Sequence, residues 1–244
     1  MIVKSELLRL AGVAFEAGRK ASAAILEVYS QEFGYEDKAD GSPITLADRR
    51  SNAILTRALS ATGIPVISEE TRIEDYSMRR QWEYFWLVDP LDGTTNYAHG
   101  VPVFSVSVAA LQDGVPLVGV VYEPLRRWLF AAQRGGGAAL NGAPLRASGT
   151  PHLAGAVVGF DWGRQPQERM DIVEYLGRIS PLAGTLRNMG SAALGLAYVA
   201  AGRLDGYFEA GVQAWDIAAG MLMVREAGGK VTDYKGAAMG PVHV

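Results

Sequence analysis

The stretch WLVDPLDGTTNY, residues 86–97, places two aspartates, Asp89 and Asp92, at the end of an apolar run. Pro90 fixes its own φ and biases Asp89 away from helix. A tight turn of this kind points both carboxylates inward, with the Leu91 carbonyl between them. Two carboxylates held close together repel unless a cation bridges them. Further acids stand where apolar segments meet polar ones: Asp48 after SPITLA, Glu69 and Glu70 after PVIS, and Asp216 at the head of AWDIAAG. Taken singly, each reads as a solvated surface carboxylate. Glu69 and Asp89, however, each terminate an apolar run, which sets the backbone at a sheet edge and the side chain in a cleft. With Glu69 and Asp216 added there is charge for more than one ion. Oxygen-only donors select a hard cation, Mg²⁺ first.

Gly93, Thr94 and Thr95 follow at once. Glycine lets the backbone approach a ligand closely. A helix or turn starting here offers free N–H groups to an anion. Alone, the DG pair reads equally well as a plain turn followed by a threonine cap. Beside metal-binding carboxylates, the same residues amount to a phosphate-hydrolysis site.

Composition narrows the chemistry further. The chain has 244 residues, enough for one large domain or two small ones, and is 49% hydrophobic. It contains no cysteine and three histidines. Disulfides, thiolate nucleophiles and thiolate-ligated zinc are excluded, and a histidine-rich metal site is disfavoured. Net charge is −3 with no basic stripe, so no nucleic-acid partner is expected. No apolar run is long enough to span a bilayer and the N-terminus lacks a signal-peptide pattern, so a cytoplasmic protein without a membrane partner is expected.

The elements that must hold these residues follow from periodicity. Residues 5–30 repeat apolar side chains at helical spacing, with Ser5 as the expected N-cap. Thr45 caps a second helix over 46–62, stopped by Gly63. IPVISEE and YFWLVDP read as buried strands. Residues 104–124 read as two strands turning at Asp113-Gly114, and short strands continue through turns at Gly135–Gly137 and Asn141-Gly142. Beyond residue 146 the pattern predicts a strand at GAVVGFDW, a helix over 168–179, a helix from Ser191 to Gly202, a strand at RLDGYFEA, a helix at AWDIAAGMLMVREAGG and a last strand at KVTDY. Helices alternate with antiparallel-looking strands, which gives an α+β class with layered packing. Two subdomains are expected: residues 1–145 carrying most of the acids, and 146–244 with the substrate pocket and Asp216.

Three motifs taken together, SEE at 68–70, DPLDGTTNY at 89–97 and AWDIAAG at 214–220, resemble the inositol monophosphatase family of metal-dependent, lithium-sensitive phosphatases. Weaker similarities are SPITLAD, GVVYEP and RNMGSAALGLAYVAAGRLDGYFE. The resemblance covers roughly residues 5–235 and implies a layered α-β-α-β-α sandwich, and a homodimer. By the same resemblance Glu69, Asp89, the Leu91 carbonyl, Asp92 and Asp216 bind two or three Mg²⁺ ions, which Mn²⁺ can replace. Asp48, Thr94 and Glu69 serve the attacking water. Asp92, Gly93, Thr94, Thr95, Gly190, Ser191, Ala192, Glu209 and Asp216 contact a small phosphate ester, inositol 1-phosphate or a similar sugar or polyol phosphate. Related activities on the same fold are those of bisphosphate nucleotidase, fructose-1,6-bisphosphatase and histidinol phosphatase. The DGTTNY ending favours the inositol monophosphatase branch over the nucleotidase one. A non-catalytic regulatory role ranks below all of these.

Two departures from the family pattern stand out. Gln213 occupies a position where inositol-specific relatives often carry histidine, and the chain ends sooner after Asp216 than is usual. Among the remaining residues, His99 reads as a turn residue, Trp82, Trp86, Trp128 and Trp162 as core or interface, and Lys38 as a loop cation able to approach the metals.

Overall fold

Helix α1 (Lys4–Tyr29) buries Leu10, Ala14, Ala17, Ala21, Ile25 and Val28 along one stripe, as its three- and four-residue spacing requires. Ser5 lies inside the first turn of α1 rather than capping it. The computed structural model describes residues 4–31, 34–37, 43–71, 75–240 and 242; Lys38 and His243 fall outside these. A small hairpin of β1 (Tyr35–Asp37) and β2 (Pro43–Thr45) leads into α2 (Leu46–Ser60). Thr45 forms a full capping box with Asp48, its side chain accepting from the Ala47 and Asp48 N–H groups. Strand β3 (Val66–Ser68) and the short α3 (Tyr76–Arg79) precede β4 (Tyr84–Asp92) and α4 (Thr94–Ala98), whose C-terminal turn ends at His99.

Strands β5 (Ser105–Gln112), β6 (Val115–Glu123), β7 (Trp128–Gln133), β8 (Gly137–Leu140) and β9 (Ala143–Pro144) complete a seven-stranded sheet in the order β3 to β9. The turn after β5 has Asp113 at φ 50° and Gly114 at φ 74°; the turn after β8 has Asn141 at φ 49° and Gly142 at φ 83°. Two successive left-handed residues are what a two-residue hairpin needs. The sheet is antiparallel except for the parallel pair β3–β4.

The second half supplies β10 (Val157–Phe160), α5 (Pro166–Ile179), β11 (Thr185–Asn188), α6 (Ala192–Ala200), β12 (Gly206–Phe208) and α7 (Ala214–Glu226). Its sheet, ordered β11-β10-β12, is wholly parallel, not antiparallel. β11 is reached from β10 through α5, and β12 from β11 through α6, the kind of connection that parallel pairing demands. Segment KVTDY forms no strand; Thr232 makes a single bridge to Ala238. Strand β11 escapes sequence reading because TLRN has no apolar alternation.

Strand periodicity of two separates the faces of the large sheet. Trp86, Val88, Val106, Val108, Val118 and Val120 pack with α1 and α2, while Phe85, Leu87, Ala109, Leu111 and Val121 pack with α6 and α7. The latter core joins residues from both sides of position 145. On its other side α6 meets the small sheet, where Tyr207 of β12 presses on Gly195 of α6, and Phe208 of β12 lies tilted against Tyr175 of α5. The result is an α+β sandwich layered α-β-α-β-α. Among the described residues no helix is long and apolar enough to cross a membrane.

Candidate active site

The acids of β4 face one way because the strand is bulged. Residues three apart on a regular strand point to opposite faces. Asp89 pairs with Ser107 and Asp92 with Ser105, so β4 carries one extra residue between them. Pro90, which has no N–H to donate, sits in the bulge. Leu91 accordingly joins the α1/α2 core, and both aspartates turn toward α6 and α7. The turn is tied twice: the Leu91 N–H donates to Asp89 Oδ1 at 3.0 Å, and Ser51 Oγ of α2 donates to the Pro90 carbonyl at 2.6 Å.

Three elements then converge. Glu69 stands just past β3, Asp89 on β4 and Asp216 in the first turn of α7, and their carboxylate oxygens lie within 4.8 Å of one another. Asp216 is the capping-box acid of α7, accepting the Gln213 N–H at 2.7 Å. Ser107 Oγ donates to the Trp215 carbonyl and fixes that helix end on β5. Asp89 is 2% exposed. Burial holds its carboxyl well above the usual carboxylate range, with the charges of Glu69, Asp92 and Asp216 adding to the effect. Arg164, from the loop before α5, reaches Glu69 Oε1 at 3.4 Å. An all-oxygen cluster of this density suits a hard divalent cation.

Asp92 has a different setting. It accepts from Ser191 Oγ and from the N–H groups of Ala192 and Ala193 at 3.2 and 3.1 Å, so it sits on the N-terminus of α6. Burial pushes its carboxyl up to about 7; the Ser191 hydrogen bond opposes this and the nearby charges of Asp216 and Asp161 reinforce it. Gly93 follows at φ 84°, and a Cβ there would lie 2.9 Å from the Val103 carbonyl and 3.0 Å from the Gly190 carbonyl. Only glycine fits that approach. Thr94 Oγ1 lies 3.1 Å from Asp48 Oδ1 and 2.8 Å from the Leu91 carbonyl. Asp48 is itself buried, its second oxygen accepting the Thr45 N–H at 2.7 Å.

Glu69, Asp89, Asp92, Gly93, Thr94 and Asp216, though not Asp48, line a cleft of about 390 Å³ together with Thr95, Gly190, Ser191, Ala192 and Glu209. Burial pushes the Glu209 carboxyl up to about 8. Glu70 stands apart from the three-acid cluster, and Gln213 is the cap of α7. Trp162 is no core residue: it is 43% exposed at the cleft, edge-on to Phe160. Sequence reading misses Asp161, which lines the cleft as a buried acid, and also Arg164 and Asn188. The signal for Asp161 is the one that exposes Asp89, a carboxylate ending an apolar strand.

The family model described as the inositol monophosphatase family matches residues 6–243. An inositol-1-monophosphatase of Mesorhizobium japonicum is 39% identical over 241 residues, 96% of this chain and 88% of that protein. A Nus factor SuhB of Pasteurella multocida is 42% identical over 230 residues, 92% of this chain and 85% of that protein. Among solved structures, the extragenic suppressor protein SuhB from Bartonella henselae matches with a TM-score of 0.85 at 37% identity, covering 93% of this chain and 88% of that one. The inositol monophosphatase from Anabaena (Nostoc) matches with a TM-score of 0.84 at 34% identity, covering 96% and 88%.

Proposed function

Because the chain belongs to the inositol monophosphatase family, we propose that it is a Mg²⁺-dependent phosphomonoesterase acting on inositol 1-phosphate or a similar small sugar or polyol phosphate. The observation that carries this reading is the gathering of Glu69, Asp89 and Asp216 beside the Thr94 hydroxyl. Left to themselves, buried carboxylates at this distance repel; divalent cations remove the repulsion. Glu69, Asp89, Asp216 and the Leu91 carbonyl would hold these ions, with Asp92 beside them. When bound, Mg²⁺ supplies Lewis acidity for water and for the phosphoryl oxygens.

The protein's own residues do the rest. Thr94 Oγ1 is within hydrogen-bond reach of both Asp48 Oδ1 and the Leu91 carbonyl, and for the reaction its one proton goes to Asp48, leaving a lone pair for a water in the cleft. A water that donates to this lone pair is oriented toward phosphorus, and its proton passes through Thr94 to Asp48. The capping box at Thr45 keeps Asp48 in place for that role. Donors from Gly93, Thr94 and Thr95 face the transferring phosphoryl group, whose negative charge is spread over its oxygens. Glu209 and the 190–192 segment meet the alcohol. No cysteine is needed, and there is none.

Phosphate release from inositol 1-phosphate, fructose 1,6-bisphosphate, 3′-phosphoadenosine 5′-phosphate and histidinol phosphate, with Mg²⁺ and with EDTA, tests the reading and chooses among the branches. Turnover that EDTA leaves unchanged would sink it. The relatives named Nus factor SuhB favour a second reading, a regulatory protein of the same fold. That reading expects a biological role that survives Asp89→Asn.

A further inference from the structure

Asp161 has no part in the steps above, yet it is 4% exposed and accepts five hydrogen bonds, one of them from the Asn188 side chain. Three of the five come from the successive N–H groups of Met189, Gly190 and Ser191, where Gly190 bonds to Oδ1 and Ser191 to Oδ2 at 3.2 Å. Its Oδ2 also faces the Tyr207 hydroxyl at 2.9 Å. The same hydroxyl lies 2.5 Å from Glu209 Oε2.

A phenol carries one proton, so it can donate to only one of two carboxylates. The other contact needs a proton carried by the carboxyl. Asp161 is surrounded by N–H donors, which favour its charged form, so the proton belongs on Glu209. The carboxyl groups that bear on Glu209 are Asp161, Asp216 and Asp92, and the negative charge of each favours that protonation. The order is then Glu209 O–H to Tyr207, and Tyr207 O–H to Asp161. The ring has no room to swing away. A Cβ on Gly195 would lie 2.4 Å from its Cε2, and one on Gly159 would lie 3.0 Å from its Cδ2.

We propose that Tyr207 is a positioning residue for the alcohol part of the substrate: its hydroxyl ties Glu209 to Asp161 through one shared proton and fixes the carboxyl oxygen that Glu209 presents to the cleft. Glu209 Oε2 is committed to this chain, and Oε1 accepts from a substrate hydroxyl. A neutral Glu209 also spares the incoming phosphate a further full charge. The site therefore selects esters whose leaving group carries hydroxyls over esters whose leaving group has none. The inference rests on the phosphatase reading for its kinetic consequence, though not for the shared proton.

The test is Tyr207→Phe, an isosteric change, assayed on inositol 1-phosphate and on phenyl phosphate. The expected result is a KM for inositol 1-phosphate raised about tenfold, the scale of one lost hydrogen bond, with kcat kept within about twofold. Phenyl phosphate, which has no hydroxyl to recognise, keeps its kcat/KM within about twofold. Equal losses on both esters, or no change on either, overturn the proposal. The shared proton is read separately on the native Mg²⁺-loaded protein by infrared spectroscopy with ¹³C-labelled glutamate. A protonated-carboxyl band at neutral pH that vanishes in Glu209→Gln is expected. Its absence overturns the proposal even if neither ester is hydrolysed, an outcome that would count separately against the phosphatase reading.

Discussion

The Thr94 hydroxyl lies 3.1 Å from Asp48 Oδ1, across 46 positions of sequence. One residue opens α4 and the other closes the capping box of α2, so two helix starts meet at one hydrogen bond. That meeting gives the Thr94 hydroxyl a route by which to pass a proton to a buried carboxylate held by backbone N–H. Thr94→Ala and Asp48→Asn should each lower kcat by about 10²- to 10⁴-fold, the range of general acid–base contributions. Mg²⁺ binding, followed by calorimetry, should persist in Thr94→Ala. Unchanged kcat in both variants would remove these residues from the water's path.

Asp89 is surrounded by like charge, so its role is exposed by neutralising it. Metal-free Asp89→Asn should melt at a higher temperature than the native metal-free protein, because a buried repulsion is relieved. Conversely, the native protein should gain about 2.7 kcal/mol when Mg²⁺ is raised to a hundred times its dissociation constant. The variant should lose most of that gain. Melting curves in EDTA and in Mg²⁺ decide both points, and a variant stabilised by Mg²⁺ as much as the native chain would contradict the assignment.

Glu209 sets a pH dependence of stability. Its folded-state carboxyl titrates at about 8, above the ordinary value of about 4.3 for a free glutamate. The folded state therefore binds the extra proton between those values. The associated stability is fully present below about pH 4 and is lost as pH rises toward 8. Denaturant melts of the metal-free protein across this range should show the decline, to which Asp89 and Asp92 add in the same direction, and Glu209→Gln should make it shallower. A slope of the opposite sign, or no difference in the variant, would refute it.

A fourth expectation concerns packing between layers. A Cβ on Gly119 of β6 would lie 2.9 Å from the Ala219 carbonyl and 3.0 Å from its Cα, both backbone atoms of α7. Neither can rotate aside, so Gly119→Ala must push α7, and with it Asp216, off the sheet. The variant should lose about 1–3 kcal/mol of stability, the usual cost of overpacking. It should also bind Mg²⁺ more weakly, which a purely local clash would not cause.

Much of this was legible in the residues themselves. The stripe of α1, the cap at Thr45, the left-handed turn residues Asp113-Gly114 and Asn141-Gly142, and the acids ending β3 and β4 all follow from local rules. What local rules miss is pairing at a distance. TLRN gains strand geometry only from its neighbour β10, and KVTDY, strand-like alone, finds no more than one bridge. The turn expected at Pro90 is realised as a bulge inside β4, and it is this extra residue that brings Asp92 to the face of Asp89. Asp161 ended an apolar run as plainly as Asp89 does. Its meaning depends on Tyr207 and the 189–191 backbone, which lie 28 to 46 positions away.

The bonds from Asp92 to Ser191, Ala192 and Ala193 span 99 to 101 positions. Asp216 stands farther still from Glu69. During translation, then, the early acids leave the ribosome long before the residues that complete their cluster. A half-made chain presents scattered carboxylates and no cleft. The same holds for a chain nicked in the 145–155 stretch whose two pieces separate. Assembly of the acid cluster therefore reports that the chain has been made through Asp216 and that its two halves have come together.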